Sequence, residues 1–181
     1  MAEPSKVQNE TQKINLNITM AGAVTEAYEG DPKVMIDKLN DLRAMELASE
    51  LQYRHHAYMA ISLSMPGVKA EFEEHAAQEA DHADRLARRI QQLGGDPIFS
   101  PNEIARKVDE LKLTLGDPQT LAEMVAYNLG VEQKQIVAYT RLVRETAFHD
   151  PTTRRMLEDI LIDTEHHAAE MHDLLQTKAH E

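Results

Sequence analysis

Three glutamates and two histidines stand where a helical chain should bury carbon. Taken at alternating steps of four and three, one stripe reads Met35, Leu39, Leu42, Glu46, Ser49, Tyr53, His56, Ala60, Leu63. This is an a/d seam that should face a bundle core, apolar at its ends and polar in its middle. A second stripe reads Leu121, Val125, Asn128, Glu132, Gln135, Tyr139, Leu142. The other two are Val68, Phe72, His75, Glu79, His82, Leu86 and Leu157, Ile160, Thr164, His167, Met171, Leu174. An ionised carboxylate in such a core costs several kcal/mol unless it is paired. No Lys or Arg lies on any of the four stripes. A bound polycation is the simplest partner for Glu46, Glu79, Glu132, His82 and His167. Glu79 and His82 are three residues apart, so both reach one point from one helical face. Hard oxygen with imidazole suits Fe, Mn or Zn.

Four long helices must position these groups. Asp31-Pro32 opens the first, with Asp as N-cap and Pro at the first helical position, and it runs to about Met65. The second follows Pro66-Gly67 and stops at Gly94-Gly95. Residues 96–117 read as a long connection with a short helix near 102–113. The third helix runs from about Asp117-Pro118 to Phe148, and the fourth from Asp150-Pro151 to about Gln176. Two antiparallel hairpins joined by a long crossover make an all-α four-helix bundle over residues 31–178. Glu46 and Glu132 lie 86 residues apart, as do Tyr53 and Tyr139, and Pro66 and Pro151 each precede a His by sixteen residues. The chain is an internal duplication of one hairpin. A Glu-x-x-His on one helix facing a Glu on another is how di-iron carboxylate bundles build their site.

Composition narrows the function classes. The chain has 181 residues, 42% hydrophobic and 4% aromatic, rich in helix formers: one globular, all-α domain. It has no Cys, which excludes a disulfide scaffold, a thiol nucleophile and a Cys-held metal, and fits a reducing, cytoplasmic setting. The formal net charge is -12, and Lys6 and Lys13 are the sole Lys or Arg in the first thirty residues. That argues against direct DNA coating and suits the attraction of cations. No apolar run approaches the ~20 residues of a membrane span, and no signal peptide is expected. Residues 1–30 are polar and aperiodic, and read as a flexible arm that orders on assembly.

The remaining polar positions have two readings each. Tyr53 and Tyr139 are core aromatics whose hydroxyls should each bond a ligand carboxylate across the bundle. His75, one turn before Glu79, is either a satisfied core histidine or an extra ligand on the path of iron; His56 is similar. His55, His149, His166, His172 and His180 read as surface residues. The acidic run Glu71, Glu73, Glu74 is a solvated face or a guide for cations.

Four segments carry a family resemblance: MELASELQYRHHAYMA (45–60), EFEEHAAQEADHADRLAR (71–88), LGGDPIFSP (93–101) and LEDILIDTEHHAAEMHDLL (157–175). From Gly22 to about Gln176 the chain resembles the bacterioferritin and Dps-like (miniferritin) branch of the ferritin-like superfamily. The resemblance implies a ferroxidase centre within one subunit. Glu46 and His82 would hold one iron, Glu132 and His167 the other, and Glu79 would bridge. It also implies a hollow homo-oligomeric shell of 12 or 24 subunits, O2 or H2O2 as oxidant, and a ferric mineral inside.

Three departures stand out. The family's second bridging Glu is Thr164 here, a poor ligand, and Asp163, one turn before His167, is the neighbouring carboxylate in place to reach in instead. The haem-binding members' Met beside the Glu of the second helix is Ala80, so no haem is expected. The Cys pair of some Dps-like proteins is absent. The rival readings are a scavenging protein with an impaired site, another di-metal oxidoreductase, and a purely structural bundle.

Overall fold

Aspartates open two of the long helices. Ahead of α1 (Pro32–Ser62), Lys33 N donates to Asp31 Oδ1 at 2.9 Å. Glycines close α2 (Pro66–Gln92): Gly94 sits at φ 83, its N–H bonds Gln91 O and that of Gly95 bonds Ile90 O. This is a Schellman end, which needs a left-handed residue at that point. The computed structural model describes residues 22–62, 66–113, 116 and 118–178.

The crossover carries a short helix, α3 (Pro101–Glu110), which lies along α1. Asn40 takes the Ile98 N–H at 3.0 Å and donates to Asp96 O at 3.3 Å, which pins the crossover to α1. α3 ends through Lys112, a non-glycine residue at φ 53, in the same pattern of end bonds as α2. A side chain with a Cβ is strained there. Lys112→Gly is therefore expected to stabilise the fold by about 1 kcal/mol, read as a higher urea midpoint at unchanged slope.

The third long helix starts later than its Asp117-Pro118 signal suggested. α4 (Leu121–Thr146) is opened by Thr120, whose side chain accepts from Glu123 N while the Glu123 side chain accepts from Thr120 N. This capping box satisfies two N–H groups at once, and it outcompetes the Asp-Pro pair.

α5 (Pro151–Lys178) begins at Asp150, which accepts the Thr153 N–H at 2.9 Å and a two-pronged contact from Arg89 at 2.8 and 2.9 Å. Burial alone would raise the Asp150 carboxyl, but bonds from Thr153 and Arg89 outweigh it and hold it below its usual value. Tyr28 donates to the same carboxylate, and Val24 and Tyr28 pack against the core. Residues 22–30 of the sequence-defined arm thus lie on the bundle; residues 1–21 fall outside the described residues. Asp150→Asn should cost roughly 3 kcal/mol, because it leaves a buried guanidinium unpaired. With a depressed folded pKa, Asp150 stabilises above pH 3.8, and this contribution is lost as pH falls through the lower folded value. Urea unfolding of both proteins at pH 7 and pH 3 measures it.

α1 pairs with α2 and α4 with α5, and the two hairpins close on each other through α1 with α4 and α2 with α5. No strand occurs among the described residues. Two apolar clusters fill the bundle: one centred on Leu39, Leu42, Leu86, Ile90, Leu157 and Ile160, the other on Ala60, Phe72, Met124, Val125 and Met171. The polar stretch of each long helix falls between them.

Candidate metal centre

Each long helix delivers its polar residues to that middle layer. Glu46, Glu79 and Glu132 are wholly buried, and His82 and His167 nearly so. The donor atoms of Glu46, Glu79 and His82 all lie within 4.8 Å of one another, and so do those of His75, Glu132 and His167. His82 Nδ1 is 3.3 Å from Glu46 Oε2. His167 Nδ1 is 3.2 Å from Glu79 Oε1 and 3.6 Å from Glu132 Oε1, so Glu79 adjoins both groups.

The two tyrosines cross over. Tyr53 on α1 donates to Glu132 Oε1 on α4 at 2.7 Å, and Tyr139 on α4 donates to Glu46 Oε1 on α1 at 2.6 Å. The pair repeats the sequence duplication as a spatial exchange, and fixes one oxygen of each carboxylate. Burial and the adjoining carboxylates raise both phenols well above their ordinary value, so both stay donors.

Gln135 donates to Glu79 Oε2 at 3.0 Å, and Gln78 contacts His167 Nε2. Neither was assigned from sequence, although Gln135 lies on the seam three residues after Glu132, the spacing of Glu79 and His82. Thr164 is buried, but its hydroxyl donates to Ile160 O of its own helix at 3.0 Å. Asp163 is half-exposed and lies 3.3 Å from His82 Nε2 and 3.8 Å from Arg85. His56 belongs to a separate buried set with Gln52 and Asn128, and burial pushes it down to about 4.

The electrostatics of the layer are unbalanced without a cation. Among the described residues, no Lys or Arg pairs with Glu46, Glu79 or Glu132. Burial, then repulsion from Glu46, raises Glu79 to about 7. Burial, then repulsion from Glu79, raises Glu132 to about 7. Burial also raises Glu46. Burial opposes charge on His167, but bonds to Glu132 and Glu79 prevail and lift it to about 10. Protons therefore substitute for missing positive charge. Glu132 Oε2 is buried with no hydrogen-bond partner, which leaves an oxygen free for a cation. Carboxylate oxygen and imidazole nitrogen are the donors that Fe, Mn and Zn take. The residues present fit a pair of such ions.

A four-helix bundle with a long crossover and carboxylate–imidazole groups in its middle layer defines a ferritin-like protein. The chain belongs to the ferritin family: the family model described as a ferritin-like domain matches residues 36–179. It is 30% identical over 138 residues to a bacterial ferritin of Pseudomonas aeruginosa, covering 76% of this chain and 82% of that protein. It is 29% identical over 136 residues to a bacterioferritin of Desulfovibrio desulfuricans, covering 74% and 69% respectively. A nutrient stress-induced DNA-binding protein of Synechococcus is 27% identical over 119 residues, 65% of this chain and 67% of that one. Among solved structures, a dodecameric thioferritin, the bacterioferritin-related protein of Bacteroides fragilis, superposes with a TM-score of 0.77 at 28% identity, covering 83% of this chain and 89% of that one.

Proposed function

We propose that this chain is a ferroxidase that binds two Fe(II) ions in its bundle core, oxidises them, and stores or detoxifies the product within a homo-oligomeric, cytoplasmic shell. One observation carries the reading: two three-donor groups meet at Glu79, buried between apolar clusters, with no Lys or Arg paired to them among the described residues. Glu46 and His82 would hold one ion, Glu132 and His167 the other, and Glu79 would serve both. Iron is the substrate here, and each Fe(II) gives up one electron. A pair reduces O2 to H2O2 with two protons, or H2O2 to two waters with two protons.

The chain's own groups support that chemistry. Tyr53 and Tyr139 hold the carboxylates with their remaining oxygens available. Gln135 fixes Glu79 between the groups. Loading Fe(II) displaces protons from Glu79, Glu132 and His167, because only the deprotonated ligand binds. Carboxylate oxygens then favour Fe(III) over Fe(II), which draws the electron out. The apolar clusters on both sides keep bulk water from the layer. Exposed Leu51, Tyr58, Val137 and Phe148 are large apolar groups suited to contacts between subunits. The dodecamer of the structural neighbour makes twelve the first assembly to test.

One observation favours a second reading. Thr164 donates its hydroxyl to Ile160 O of its own helix and, being neutral, supplies no bridging carboxylate. A site short of one carboxylate could hold a fixed metal for scavenging, with little turnover, or serve another di-metal oxidoreductase using Mn or Zn. An anaerobic Fe(II) titration of metal-free protein followed by an oxygen pulse separates the readings. Rapid oxidation of two Fe(II) per subunit is the expected result. One or none, oxidised no faster than in buffer, would leave the scavenging reading.

A further inference from the structure

The polar layer does not end at the five proposed iron ligands. His75, on α2, stacks on His167 with ring centroids 4.1 Å apart and an interplanar angle of 21°. Tyr53 meets the ring edge-on at 5.1 Å. The ring is 2% exposed, and its Nδ1 has no hydrogen-bond partner. Its other nitrogen, Nε2, points outward. That atom lies 2.9 Å from Glu170 Oε2 on α5 and 3.7 Å from Glu71 Oε1, one turn earlier on α2. Both glutamates are about one-third exposed at 33% and 34%, so this group opens to solvent where His75 does not.

We propose that Glu71, His75 and Glu170 form a third divalent-cation site, at the solvent edge of the chamber that holds the iron pair. Their donor atoms all lie within 4.8 Å of one another. Two carboxylates converge on one buried imidazole, and their ion-pair partners among the described residues are histidines: His75 for both, and His166 at 3.5 Å for Glu170. Among the described residues no Lys or Arg pairs with either carboxylate. A solvated acidic face would leave its carboxylates apart in water; here a buried ring nitrogen is aimed between them. Oxygen, oxygen and nitrogen from two helices make a facial half-shell, and water would complete it around Fe(II), Mn(II) or Zn(II).

Position gives the site a purpose. His75 belongs to this group and also to the group with Glu132 and His167. The three groups thus form a row from solvent to core: Glu71 with Glu170, then His75 with His167 and Glu132, then Glu46, Glu79 and His82. A cation that loses water at the outer carboxylates meets the next donors without crossing apolar surface. The delivery role rests on the ferroxidase reading, whereas binding at the outer site does not.

Co(II) is the probe, because it takes the same donors and is not consumed by oxygen under these conditions. Metal-free assembled protein is dialysed against Co(II), and cobalt per subunit is measured with the visible absorption spectrum. Wild type should take three equivalents, Glu71→Gln/Glu170→Gln two, and Glu79→Gln/Glu132→Gln one. Both outer glutamates are partly exposed, so their amides should not disturb the fold, which circular dichroism checks. Equal uptake by wild type and Glu71→Gln/Glu170→Gln overturns the proposal, as does no uptake at all by Glu79→Gln/Glu132→Gln. Loss of one equivalent in the outer variant with none lost in the inner variant would uphold the third site and remove the iron-pair reading instead.

Discussion

Glu79→Gln should abolish rapid Fe(II) oxidation, lowering the rate per subunit at least ~100-fold, and should reduce tight Fe(II) binding from two equivalents to one or none. Glu79 is wholly buried and faces both donor groups, with Oε1 at His167 and Oε2 held by Gln135. An amide keeps the shape and can still accept from Gln135. It carries no negative charge, and it places a neutral oxygen where two dications require a shared anion. The same change should leave the metal-free protein as stable as wild type or more so at pH 8, because it removes a carboxylate whose ionisation burial opposes. Loss of activity with gain of metal-free stability is the signature of a functional ligand; a core residue that merely packs would lose both. Stopped-flow absorbance after an oxygen pulse, with urea unfolding in chelator, gives both numbers. Retention of the wild-type oxidation rate by Glu79→Gln would sink the ferroxidase assignment. Glu132→Gln provides a second reading of the same prediction from the other group.

Much of this was legible in sequence because its signal is periodic. A polar residue on an a/d seam can be read from spacing, and the repeat of Glu-Tyr at 86 residues marks the chain as a duplicated hairpin. The helix starts at Asp31 and Asp150 were legible for a local reason, since an N-cap bonds its own first turn. Other features depend on the rotation of one helix against another, which no single helix encodes. Glu170 meets His75 because α5 presents that turn to α2. Gln78 reaches His167 for the same reason. Thr164 could be placed in the core from spacing, but the choice of its own Ile160 carbonyl over a neighbour's ligand is a local competition settled in three dimensions. The docking of Tyr28 onto Asp150 spans 122 residues and has no periodic signature at all.

Removing metal should reverse the pH dependence of stability. In the metal-free fold, Glu79 and Glu132 stand at about 7 against an ordinary 4.5, and His167 at about 10 against 6.5. At these three groups the folded state therefore holds more protons than the unfolded chain from about pH 4.5 to pH 10; burial holds His56 and His75 down to about 4, which offsets part of this below about pH 6.5. For the glutamates, stability is lost as pH rises from their ordinary value through the folded one. For His167, stability is fully present below 6.5 and lost as pH rises through its folded value. Both contributions have the same sign, so metal-free protein should be less stable at pH 8 than at pH 5.5, on the order of a few kcal/mol. Bound metal requires the same groups without their protons, so its affinity grows as pH rises. At a hundredfold excess over Kd it adds about 2.7 kcal/mol, and the loaded protein should be the more stable at pH 8. Zn(II) is the suitable ion, since it cannot be oxidised. Urea unfolding at the two pH values, with Zn(II) and with chelator, reads the crossing directly. The general repulsion of a chain with formal charge -12 also grows with pH, so Glu79→Gln/Glu132→Gln is the control. If the buried carboxylates carry the effect, the chelated double variant should show a markedly shallower decline from pH 5.5 to 8 than chelated wild type. Equal slopes would assign the decline to surface charge, and the core carboxylates would then exchange no protons for metal.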